Sequence, residues 1–182
     1  ENCDIYDTPV GIAVWSKEIV IKNCEFWNCV DEGIALLGWK GHECNHNKII
    51  SCKFYNNCDG IELQYSSYNI IKDCQFLENT HTGIDAIASS NNNNQIINCI
   101  IKNNEVHGIY FSSSINNEII DCEISENKDE NIYMNKESRN NRVIFSDEDS
   151  EKRIKDVLIS IINSIKQKKI STLREILSSV SF

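Results

Sequence analysis

The stretch Asn69-Ile-Ile-Lys-Asp-Cys74-Gln-Phe76-Leu-Glu-Asn-Thr-His-Thr-Gly83-Ile84-Asp-Ala86 recurs in outline along the whole chain. Its cysteine has counterparts at Cys3, Cys24, Cys52, Cys99 and Cys122. Its Gly-Ile has counterparts at Gly11-Ile12, Gly33-Ile34, Gly60-Ile61 and Gly108-Ile109, with Asn131-Ile132 standing in at the end. Successive cysteines lie 21, 28, 22, 25 and 23 residues apart. A near-constant period of this size marks a solenoid.

Three apolar columns run through the repeat. One is Ile21, Ile49, Ile71, Ile96, Ile119 and Val143, before the cysteine position. The next is the cysteine itself with Phe26, Phe54, Phe76, Ile101 and Ile124. The third is the isoleucine after glycine, with Val14, Leu36, Leu63, Ala86, Phe111 and Met134 two residues on. Spacing by two is strand patterning. Each repeat therefore predicts three short strands, which make three parallel sheets when coils stack at about 4.8 Å. The residue before each cysteine is Asn23, Ser51, Asp73, Asn98 or Asp121, suited to the left-handed geometry of a tight turn. The glycines open the third strand, where a positive φ or a close approach is expected. An incomplete seventh coil is expected at Asn141-Arg-Val-Ile, with Ser146 in the cysteine place. The fold expected over residues 1–148 is an all-β, single-stranded parallel β-helix of about six to seven coils.

The Asn-x-Ile-x-x-Cys and Gly-Ile-x-Leu frames resemble the right-handed parallel β-helices of the pectate-lyase-like superfamily. They are most similar to NosD-like repeats and to carbohydrate-binding and sugar-hydrolase domains. That resemblance implies the right-handed fold and a cell-surface or extracellular setting. It leaves function open, because the superfamily holds lyases, hydrolases, epimerases, tailspikes and inert scaffolds.

The pattern changes near Ser150. Ile154, Val157, Leu158, Ile161, Ile162 and Ile165 recur at three and four, the period of an amphipathic helix. Leu173, Ile176, Leu177 and Val180 repeat it, behind a capping box of Thr172 and Glu175. Residues 149–182 are expected to form a helical appendage, either a cap over the last coil or a docking and homo-oligomerisation segment. This tail is net basic, so the repeats carry more than the chain's net charge of −9. An acidic solenoid argues against nucleic acid as a partner. No run is long and apolar enough for a membrane span. The chain begins in mid-repeat at Glu1, as expected of a piece of a longer protein. The six repeated cysteines, of nine in all, are expected as buried unbridged thiols. Neighbours on stacked strands lie about 4.8 Å apart, beyond the roughly 3.8 Å between Cβ atoms of a disulfide. Free thiols favour a reducing or anaerobic setting. Cys29 and Cys58 fall in nearby turns and could meet.

In this superfamily, sites lie outside the sheet that begins at Gly-Ile. The outward positions there are Ala13, Ala35, Glu62, Asp85, Tyr110 and Tyr133, then Trp15, Leu37, Gln64, Ile87, Ser112 and Asn135. Glu62 and Asp85 would stack on adjacent coils, as a catalytic carboxylate pair for glycoside hydrolysis or as two solvated acids. Trp15, Trp39, Gln64, Tyr110 and Tyr133 are candidates for carbohydrate binding, since flat rings beside polar groups suit sugars. Stacking along a sheet would also explain such aromatics. The superfamily's lyases use a basic residue, and no Lys or Arg falls on this outward face. The insertion Gly38–Asn47 carries His42, Cys44 and His46 in alternation, a candidate set of zinc or copper donors. The repeats call for no cofactor. The leading expectation is a non-catalytic recognition or scaffold module for a glycan within a larger protein. The alternatives are a polysaccharide-cleaving enzyme using Glu62 and Asp85, and a structural solenoid assembled through its tail.

Overall fold

A computed structural model describes residues 1–87 and 90–146. The expected helical appendage lies outside them. The described residues wind into six coils of three strands each. The first coil holds β1 (Asp4–Tyr6), β2 (Ile12–Val14) and β3 (Val20–Lys22). The second holds β4 (Glu25–Trp27), β5 (Glu32–Leu37) and β6 (Lys48–Ile50). The third holds β7 (Lys53–Tyr55), β8 (Asp59–Gln64) and β9 (Ile70–Lys72). The fourth holds β10 (Gln75–Leu77), β11 (Ile84–Ala86) and β12 (Gln95–Ile97). The fifth holds β13 (Ile100–Lys102), β14 (His107–Phe111) and β15 (Glu118–Ile120). The sixth holds β16 (Glu123–Ser125), β17 (Glu130–Met134) and β18 (Arg142–Ile144). Like strands of successive coils pair in parallel, giving three six-stranded sheets. Asn141-Arg-Val-Ile, expected to open a seventh coil, instead closes the sixth, with Arg142–Ile144 as β18. Among the described residues there is no helix.

The three columns fill the core. Phe26, Phe54 and Phe76 stack face to face at 5.0 and 4.8 Å, fully buried. Ile34, Ile61, Ile84 and Ile109 line the second sheet from inside. Cys24, Cys52, Cys74, Cys99 and Cys122 are buried beside them as free thiols. Cys3, in the first coil, is exposed.

Side chains at the corners replace the backbone ladder. Asn57, Asn79, Asn104 and Asn127 form one file, Asn47, Asn69, Asn94, Asn117 and Asn141 another. In each file a side-chain oxygen accepts the backbone N–H of the asparagine one coil before, as Asn104 Oδ1 does from Asn79 N at 3.1 Å. Its amide also passes hydrogen bonds along the file, as from Asn79 Nδ2 to Asn104 Oδ1 at 2.9 Å. Buried amides are tolerated here because their groups are paired. Asn23, Ser51, Asp73, Asn98 and Asp121 take the expected left-handed turn, with φ between 50° and 54°.

The glycines before isoleucine answer to close approach, not to positive φ, which among the described glycines only Gly41 adopts. A Cβ on Gly60 would stand 2.5 Å from the carbonyl oxygen of Gly83 and 2.6 Å from the Phe76 ring. Asn131 can stand where the earlier coils need glycine, because among the described residues no further strand of the second sheet stacks on β17. From each cysteine to its glycine the chain spends eight or nine residues. From glycine to the next cysteine it spends 13, 19, 14, 16 and 14, so length varies mainly where the second sheet gives way to the third.

Candidate functional site

The outer face of the second sheet carries one file of side chains from coil to coil. The register aligns Ala13 with Ala35, Ala35 with Glu62, Glu62 with Asp85, Asp85 with Tyr110, and Tyr110 with Tyr133. Leu37 and Gln64 align in the file beside it. Alternation along short strands places these residues outward, because Ile61, Leu63, Ile84 and Ala86 take the inward positions.

The two acids are not solvated. Asp85 is only 6% exposed and Glu62 is half-buried. Further acids that the alternation rule assigns to the inside join them. Glu32 stands two residues before Ile34, and Asp59 two before Ile61. Both precede a glycine, and both are buried. The Glu32 and Glu62 carboxyls share a hydrogen bond. Asp59 Oδ1 accepts the backbone N–H of Thr82 at 2.7 Å and meets His81 Nδ1 at 2.8 Å. The cue in the sequence is the residue before each Gly-Ile, which reads Val10, Glu32, Asp59, Thr82 and His107, with Glu130 before Asn131-Ile132.

Burial and crowding hold protons on these carboxyls. Glu32 is pushed up to about 8, first by burial, then by the bond to Glu62 and the charges of Glu62 and Asp31. Asp85 is pushed up to about 7 by burial and by Asp59, with His81 opposing. Burial raises Glu62 as well, and the Glu32 bond opposes it. The Glu32–Glu62 pair therefore retains one shared proton above the usual carboxylate range. Asp59 is raised by burial and restrained by His81 and the Thr82 N–H. Glu32 and Asp85 can therefore donate or accept a proton near neutral pH.

Aromatic groups flank the acids. Tyr110 and Tyr133 stack at 5.1 Å and 6°, with His107 over them at 5.6 and 5.1 Å. Their ring faces meet each other, so they offer ring edges and hydroxyls where the sequence suggests flat platforms. Trp15 and Trp39 are 64% and 51% exposed and line one shallow hollow with His42 and His46. A second aromatic file, Tyr6, Trp27 and Tyr55, stacks at 4.5 and 5.6 Å outside the first sheet.

The structure does not gather His42, Cys44 and His46. Cys44 is fully buried, and its thiol donates to the carbonyl oxygens of Ser16 at 2.8 Å and Val14 at 3.3 Å. His42 lies 5.0 Å from the Trp39 ring, and His46 stacks on Tyr68 at 5.2 Å. The loop turns at Gly41 instead of running extended, with Trp39 and His42 bridged across it. Cys29 and Cys58 do come together in the backbone, Cys58 N donating to Cys29 O at 3.3 Å, and both thiols are free.

A six-coil parallel solenoid with its polar file outside one sheet defines a β-helix protein. Residues 1–114 match the family model described as right handed beta helix region, and the chain belongs to that family. Among solved structures it is similar to the periplasmic alginate epimerase AlgG, at 17% identity and a TM-score of 0.65. A mutant of that enzyme gives 18% and 0.66. Each alignment covers 79% of this chain and 38% of the epimerase, and at such identity the likeness is one of fold. Curated protein sequences give no match. Among the described residues, no helix is long and apolar enough to cross a membrane.

Proposed function

We propose that this solenoid is a carbohydrate-recognition module of a larger protein, and that a glycan lies along the outer face of its second sheet. The observation that carries this reading is the alignment on one face: exposed Trp15 and Trp39 at one end, the Glu62 and Asp85 file in the middle, tyrosine hydroxyls at the other. Exposed indole provides an apolar face for a sugar ring, and the carboxyls and hydroxyls bond its hydroxyl groups. The acidic file favours a neutral or amino-sugar polymer. Alginate, named for the similar epimerase, is itself a polyanion and would be repelled here. A surface or extracellular setting belongs to the same reading, and the epimerase's periplasmic address supports it.

The test is a glycan array on the full chain, followed by calorimetry on the best ligand. Trp15→Ala and Trp39→Ala should each weaken binding by about tenfold, the loss of roughly 1.4 kcal/mol of contact. A chain that binds no glycan, or whose binding ignores both substitutions, removes the proposal.

The raised carboxyls favour one alternative, hydrolysis of a polysaccharide by Glu62 and Asp85. A reducing-sugar assay on the array's ligands separates the two. Binding without turnover supports recognition. Turnover lost in Glu62→Gln and Asp85→Asn supports the enzyme, and turnover that survives both rejects these residues.

A further inference from the structure

We propose that Cys58, Asp59 and His81 form a binding site for a divalent transition metal of the zinc class, spanning the third and fourth coils. One donor atom from each, the Cys58 Sγ, a carboxylate oxygen of Asp59 and a ring nitrogen of His81, lie within 4.8 Å of one another. Cys58 stands just before β8 and Asp59 opens it, and His81 comes from the equivalent corner one coil later. Backbone bonds fix that juxtaposition: His81 N donates to Cys58 O at 2.9 Å, and Thr82 N to Asp59 Oδ1 at 2.7 Å.

The geometry needs little adjustment. In a tetrahedral zinc shell with bonds of about 2.0–2.3 Å, donor atoms stand roughly 3.3–3.7 Å apart. His81 Nδ1 and Asp59 Oδ1, now at 2.8 Å, would part slightly as the metal replaces the proton between them. The thiol would turn inward toward both. His81 is half-exposed, which leaves a path of entry. A thiolate, an imidazole and a carboxylate together favour a borderline metal over calcium or magnesium.

A second observation points to the same place. Asp85 is more than nine-tenths buried, and its Oδ1 has no hydrogen-bond partner among the described residues. It sits on β11, four residues beyond His81 and paired beside β8, the strand that Asp59 opens. A buried carboxylate oxygen without a partner is costly, and a cation beside it would remove that cost. Three protein donors leave a fourth position for water or an outside ligand.

The test titrates the full chain, stripped with chelator and kept reduced, with cobalt chloride and then zinc chloride. The expected result is one equivalent of cobalt, with a near-ultraviolet thiolate-to-cobalt charge-transfer band that one equivalent of zinc abolishes. Cys58→Ser should remove that band. His81→Gln should weaken binding at least tenfold, and His46→Gln should leave it unchanged. Absence of stoichiometric binding, a band that persists in Cys58→Ser, or an affinity unmoved by His81→Gln overturns the site. Should either variant fail to fold, alkylation of the unaltered chain decides. Zinc should shield Cys58 from iodoacetamide in peptide mass analysis, and no shielding overturns the proposal.

Discussion

Glu32 lies within the wall of the solenoid yet bonds to Glu62, whose carboxyl belongs to the outside. Its value rises from an ordinary 4.5 to about 8, so between those limits the folded chain keeps a proton that the unfolded chain releases. The stability tied to that proton is complete below pH 4.5 and declines as pH rises toward 8. Thermal melts of metal-free protein should show Glu32→Gln gaining on the natural chain as pH rises across this window. A constant difference between the two would contradict the shared proton. Glu62 and Asp85 were legible in the sequence because strict alternation gives their side. Glu32 and Asp59 were not, because the same rule assigns them to the core beside Ile34 and Ile61. Cys44 misled for a related reason: alternation holds only along an extended segment, and this loop turns at Gly41.

Each strand of the first and third sheets has only three residues, too few to hold a coil by its ladder alone. The asparagine files supply what the strands lack. Asn79 receives one bond from Asn57 N at 3.1 Å and gives another to Asn104 Oδ1 at 2.9 Å. Asn79→Ala would strand buried backbone and amide groups on both neighbouring coils, at a cost of about 1–3 kcal/mol for the first unsatisfied group. Lys128, an exposed residue whose side chain bonds the exposed Glu105, should change by less than about 0.5 kcal/mol as alanine. Urea unfolding of the two variants checks the contrast, and equal losses would deny the files their role. The sequence announces these asparagines as a column of polar corner residues. Their pairing emerges only once the coils are stacked, since each partner lies 22 to 25 residues away.

The whole chain has one end still to account for. Val143 and Ile144 close the sixth coil only half-buried. The apolar stripe from Ile154 to Ile165 is the natural candidate to cover them, as each such side chain gains about 1.5–3 kcal/mol on full burial. We propose that residues 150–182 cap this end or join it to a second copy. A chain ending at Asp149 should aggregate if the tail is a cap. It should become a soluble monomer if the tail assembles an oligomer. Light scattering of the two lengths discriminates, and unchanged mass with unchanged stability would assign the tail neither task.

The glycine contacts have a consequence for how such a chain can be altered. They set the pitch, since a carbonyl and a ring already occupy the space where a Cβ would sit on Gly11, Gly33 or Gly60. The circumference is fixed on two sides as well, and slack is found mainly at the third corner, where the Gly38–Asn47 insertion already bulges. That corner is a margin open to writing, on which new loops can be added beside the file of acids without disturbing the stack. Four glycine-serine residues inserted after Lys40 should leave the melting temperature within a few degrees. The same four inserted between Asp73 and Cys74 should abolish cooperative melting, because they would throw every later coil out of step.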